Sequence, residues 1–325
     1  MLKKIFKTAL IIILMLTACV LIIVIIISRP TFVTKVEDKT ELFVDKDKLQ
    51  QHVVFLSETA VPRDFYNPEN LDNVADYIKN EFSMFADDIE FQQYVVGERS
   101  YRNVITKFGP QTDEIIIIGA HYDAHSTLPG ADDNASGVAG LIELGRLLST
   151  IELKQQVLLI AYTLEEDPFF NTQYMGSYVH AASIKNKTVK IMISFEMIGF
   201  FSDEPNSQKY PIDLLGLIYP TVGNYIGIVD SIGSNNAVGI KSSINKYTDL
   251  PAYSINAPSG IDGLDLSDHR SYLGFGYPAV MVTDTAYYRN TKYHTRQDTY
   301  DRLNYELMAK VVYGVFKYVE EIGNE

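Results

Sequence analysis

Cysteine and tryptophan are all but missing from this chain: its 325 residues hold one cysteine, Cys19, and no tryptophan. Cys19 lies inside an apolar N-terminal run, so no disulfide staples the rest of the chain. Any metal held there must take nitrogen and oxygen ligands. Positive charge is also scarce. There are 28 Lys and Arg against 41 Asp and Glu, a net charge of −13. A phosphate backbone needs the opposite sign, which argues against nucleic acid as a partner. Neither an internal repeat nor a low-complexity tract appears beyond the apolar run. What is present is a large apolar fraction, 46%, enough for the core of one large domain or two small ones.

The N-terminus divides by composition. Residues 1–8 carry Lys3, Lys4 and Lys7 and read as a cytoplasmic stub. From 9 to 27 every residue but Thr17 is apolar and none is charged, so 9–28 reads as a transmembrane anchor, which needs about 20 such residues. A cleaved secretory signal has a shorter core, about 7–15 residues. The basic flank keeps the N-terminus in the cytoplasm and puts the rest of the chain outside the cell membrane. Leu16-Thr17-Ala18-Cys19 resembles a lipoprotein lipobox, but residues 20–27 stay apolar where a lipidated cysteine is normally followed by polar chain. The uncleaved single-pass anchor is therefore favoured over lipidation at Cys19. Residues 29–45 read as a linker and 46–325 as the globular domain.

Within that domain, helices are expected over 49–56, 70–85, 134–149, 175–184, 267–273 and 301–322, where apolar residues recur at helical spacing. Strands are expected over 89–96 and 102–108, as an antiparallel edge hairpin, and over 115–118, 157–163, 189–195 and 278–283. The alternation of strand and helix predicts parallel neighbours with right-handed crossovers. Residues 200–265 are rich in Gly, Pro, Asn and Ser and poor in periodicity. They read as a lid-like insertion with short helices near 222–231 and 235–246. The fold class expected is α/β: a mixed, mostly parallel sheet with helices on both faces.

The chain is organised around residues 115–137, IIIIGAHYDAHSTLPGADDNASG. Four isoleucines form a strand buried on both faces, and His121 and Asp123 fall where it gives way to a loop. Glu165-Glu166 end the next strand, Glu196 ends the one after, and His294 lies near the C-terminus. In an open α/β sheet, such strand ends are where sites are built.

His121-Tyr122-Asp123, GADDNASG at 130–137, Glu165-Glu166 with Met175-Gly176-Ser177, FEMIGF at 195–200, SDH at 267–269 and YHTRQDT at 293–299 occur in one order. In that order they resemble the M28 family of zinc aminopeptidases, whose relatives include glutaminyl cyclases. The resemblance implies a pair of zinc ions with Asp133 as the shared ligand. His121 and Glu196 would complete one ion, and Glu166 and His294 the other. It also implies Glu165 as general base for a zinc-activated water, Asp123 as the carboxylate that orients His121, and a cis peptide between Asp133 and Asn134. His125 reads as a solvent-facing loop residue, His269 as a structural or substrate-side hydrogen bonder, and Asp298 as a local turn former. The family usually has aspartate where Glu196 stands. The loop 167–174 is longer than usual, and its Pro168-Phe169-Phe170 either lines a substrate pocket or packs on the core.

Three functions follow. The leading one is a membrane-anchored, two-zinc exopeptidase that hydrolyses N-terminal residues of peptides. The second is a glutaminyl-cyclase-like, single-zinc aminoacyltransferase. The third is a non-catalytic binding domain on the same scaffold, which no missing ligand supports. Preferred substrate residue and oligomeric state are not encoded in any feature identified.

Overall fold

The computed structural model describes residues 2–36, 43–258, 260–261 and 263–325. Residue 1, residues 37–42 of the expected linker, and 259 and 262 of the expected insertion lie outside the described residues. The apolar N-terminal run is one helix, α1 (Leu2–Ser28), whose large side chains are mostly exposed. It is long and apolar enough to cross a membrane. Cys19 sits within it with no break in the helix.

The domain begins with α2 (Lys46–Val54), capped by the Asp45 carboxylate, which accepts from the backbone N–H groups of Asp47 and Lys48. Next come α3 (Pro68–Ser83), β1 (Ile89–Val96), β2 (Arg99–Phe108), β3 (Glu114–His121), α4 (Gly137–Leu148), β4 (Gln156–Tyr162), α5 (Gly176–Ser183) and β5 (Thr188–Glu196). The chain then forms β6 (Ile226–Ser231), α6 (Asn236–Tyr247), β7 (Ala252–Ala257), α7 (His269–Gly274), β8 (Ala279–Thr283) and α8 (Tyr305–Gly323). All eight strands make one sheet in the order β1-β2-β4-β3-β5-β8-β6-β7. The β1–β2 hairpin is antiparallel at one edge, as expected, and β4, β3, β5 and β8 run parallel through the centre. Ile115–Ile118 on β3 are almost wholly buried, alternately against the two faces. Burying each such side chain contributes about 1.5–3 kcal/mol, which holds the central strand firmly.

Two expectations fail. Residues 222–231 are not helical: 226–231 is β6, antiparallel to β8 and parallel to β7. Pairing on both sides, with Ile226 and Ile228 fully buried, overrides a weak local pattern. Much of 200–265 thus extends the sheet, although the expected helix near 235–246 is present as α6. The C-terminal helix starts later than expected, at Tyr305, because Asn304 caps it by accepting from the Leu307 N–H at 3.0 Å.

Candidate metal centre

His121 is the last residue of β3, Glu196 the last of β5, and Glu165 and Glu166 follow β4 by three and four residues. Because β3, β4 and β5 are parallel, these side chains gather at one rim. A turn over Ala131–Ser136, preceding α4, brings Asp133 to the same place, and the loop before α8 brings His294. Gly130 opens the turn with φ 57°, and a Cβ there would collide with the Asp133 carbonyl, so only glycine suits the position. The Asp133–Asn134 peptide is cis, as the resemblance implied.

Asp133 lies between the two imidazoles. His121 Nε2 is 3.4 Å from Asp133 Oδ1 and 3.4 Å from Glu196 Oε2. His294 Nε2 is 3.0 Å from Asp133 Oδ2 and 3.5 Å from Glu166 Oε1. His121 Nε2, His294 Nε2 and Glu166 Oε1 are buried atoms that nonetheless make no well-formed hydrogen bond. Buried polar atoms are normally satisfied. Orphaned nitrogen and oxygen donors converging on shared carboxylates fit divalent cations such as zinc. Among the described residues two groups of three ligand atoms are close enough for an ion: His121, Asp133 and Glu196, and His125, Glu166 and His294.

The surroundings hold these donors in place. His121 Nδ1 donates to the Asp123 carbonyl at 3.1 Å, which turns Nε2 toward the centre. The Asp123 carboxylate accepts from the backbone N–H groups of Glu165 and Glu166 at 3.2 and 3.1 Å, so it positions both glutamates as well. The longer Glu196 is secured by Ser267, whose Oγ donates to Glu196 Oε2 at 2.7 Å and pairs with Ser194 Oγ at 2.8 Å. Asp298 is no mere local turn former. Its carboxylate accepts from the N–H groups of Asp132 and Asp133 at 3.2 Å. Arg63, fully buried, donates to the carbonyls of Pro129 and Gly130 and ties down the same turn.

Burial pushes the His121 imidazole down, but the charges of Glu196 and Glu165 overcome it and hold the ring well above its usual range. Burial likewise opposes protonation of His294, yet Asp133 and Glu166 raise it to about 10. Asp133 would be raised by burial, but its two histidines hold it below the usual carboxylate range. Glu165 is raised well above that range by burial, with the charges of Glu196 and Glu166 adding to it.

His125 differs from its expected role. Its ring stacks on His294 at 4.0 Å between centroids, with Nδ1 3.4 Å from Glu166 Oε2. The remaining histidines stand apart. His269 Nε2 lies 3.2 Å from the Leu264 carbonyl, His180 is paired with Tyr272 and His52 with Tyr77. Phe169 packs edge-on against Phe65 and against the core. Beside Glu196 and Tyr293 a cavity opens, walled by Tyr210, Tyr219, Tyr225 and Tyr253. Ser267 lies in the SDH segment at 267–269, but sequence reasoning gave it no role, and it missed Arg63, a lone arginine that carries no local signal of a site.

The model of peptidase family M28 matches residues 103–319. The chain is 45% identical to YfbL of Escherichia coli (strain K12) over 278 residues, covering 83% of this chain and 86% of that protein. Among solved structures it resembles BSAP, a zinc aminopeptidase from Bacillus subtilis. The TM-score is 0.68 at 14% identity, over 88% of this chain and 96% of that one. It also resembles a Tannerella forsythia glutaminyl cyclase, with TM-score 0.62 at 17% identity, over 85% and 98%. The chain belongs to peptidase family M28 and is a zinc metallopeptidase.

Proposed function

We propose that this chain is a membrane-anchored aminopeptidase that removes N-terminal residues from peptides at a centre of two zinc ions. One observation carries the reading: ligand atoms lie on both sides of Asp133, with His121 and Glu196 on one side and Glu166 and His294 on the other. When bound, the ions supply Lewis acidity toward a peptide carbonyl and ease the ionisation of water. Asp133 would be shared between the two ions. Glu165, 3.9 Å from His121 Nε2 and held at its backbone by Asp123, is the general base. It accepts a proton from the attacking water and returns it to the leaving amine. Asp123 positions His121 and the two glutamates without touching the reacting atoms. The test is metal content with a panel of aminoacyl amides on the purified full chain. Two zinc ions per chain and amide hydrolysis are expected. One ion with pyroglutamate formation would favour the glutaminyl-cyclase reading.

The anchor assignment rests on α1 being retained. Lys241 is 4% exposed, and its Nζ donates to the carbonyls of Ser28 and Arg29 and to Ser254 Oγ. Cleavage at the end of α1 would take the Ser28 carbonyl, one of three acceptors, from a buried ammonium. Lys3, Lys4 and Lys7 set the short end in the cytoplasm and the peptidase domain outside. Immunodetection of one uncleaved species in the membrane fraction is expected, and a shorter soluble species would refute it.

A further inference from the structure

The end of α1 is fixed to the domain at the β7 edge of the sheet. Lys241 and Ser254 both donate to the Ser28 carbonyl at its end, and the N–H of Val36 donates to the Lys246 carbonyl at 2.9 Å. Large apolar side chains stand in solvent beside that exit. Phe32 is 97% exposed, and the turn at Asp213–Leu217 bears Leu214 and Leu217, 68% and 84% exposed. Residues 30–35 share one cavity with Ile218 and Tyr219, which continue that turn. Phe32 is four residues from the end of the span, so at most about 14 Å of extended chain separates them. Single exposed apolar residues are ordinary. Here several face outward next to a helix that is itself apolar and exposed.

We propose that Phe32 and the turn Asp213–Leu217 form a second, shallow contact with the lipid surface, seating the β7 edge on the bilayer. This rests on the anchor reading above. Asp213 in the same turn limits the depth to the headgroup level, because a carboxylate does not enter the acyl region cheaply. Tyr219, Tyr253 and Ser254 line both the cavity beside the anchor and the tyrosine-walled cavity next to Glu196. The tyrosine-walled cavity next to Glu196 is therefore backed by the wall that this contact would turn toward the membrane.

The test uses the full chain, with Cys19→Ala as background, in phosphatidylcholine–phosphatidylglycerol vesicles. Leu217→Cys, Phe32→Cys and Val95→Cys are labelled one at a time with an environment-sensitive fluorophore. Val95 is also exposed, at 66%, but sits on β1 at the opposite edge of the sheet. Lipids carrying a quencher near the headgroup should quench the labels at Leu217 and Phe32 several-fold more than the label at Val95. Equal quenching in vesicles that float with the protein would overturn this proposal alone. A blue shift at Leu217 without lipid quenching would also overturn it, since a protein partner or second copy would then cover the turn. Protein that fails to float with the vesicles would defeat the anchor reading, and this proposal with it.

Discussion

His121 and Glu196 end two neighbouring parallel strands and are all but buried, their side chains 1% and 8% exposed. His294 comes from an irregular loop, adopts φ 52° and is 28% exposed, with the one-third exposed His125 stacked on it. Asp133 belongs to both halves. The inner half is fixed by the sheet, by the Asp123 carbonyl and by Ser267. The outer half depends on a loop whose left-handed residue is held there at some cost. Ligands aimed by strands need little reorganisation to receive an ion, whereas ligands on loops must first be ordered. On the proposed two-ion reading, the inner ion should bind more tightly, and the outer one should come and go with the loop.

Replacing the shared machinery has the largest effect. Glu165→Gln should lower turnover by about 10²–10⁴-fold, the usual worth of a positioned acid–base group. Zinc content should be unchanged, since Glu165 is not proposed as a ligand. Unchanged turnover with full zinc would remove it from the chemistry. Next comes the inner half alone: Ser267→Ala takes the donor from Glu196 and should weaken the tighter zinc by about 10–100-fold, leaving the weaker one unaffected. Equal weakening of both in a zinc titration would mean that the halves are not separable. The smallest effect is sought at His125. His125→Phe keeps the stack on His294 but no nitrogen, and should change the weaker zinc affinity by less than about tenfold, or 1.4 kcal/mol. If that variant lost one zinc altogether, His125 would be a ligand and the outer half would carry two imidazoles.

The inner half was also the more legible in the sequence. A run of isoleucines ending in Gly119-Ala120-His121 announces a buried strand and its rim, and Glu196 repeats the arrangement at the end of β5. The outer half was named by resemblance, and its support was invisible. His125 looks like any loop histidine until the fold brings the His294 ring against it. Asp298 was given a local role because it follows His294 by four residues, yet it serves N–H groups 165 and 166 positions away. β6 and β7 went unseen for a similar reason. IGIVDS and AYSINA are short, and they contain residues that suit turns as well as strands. Only pairing with β8 and with each other makes them sheet. Long-range pairing and uncharged supports such as Ser267 leave no periodic trace, whereas buried strands and charged strand ends do.

The most direct test of two ions sharing Asp133 is a zinc-loaded crystal measured at the zinc absorption edge. Two anomalous peaks about 3.5–4 Å apart are expected, one bounded by His121 and Glu196, the other by Glu166 and His294, with Asp133 between them. A single peak, or a pair elsewhere in the molecule, would contradict the account.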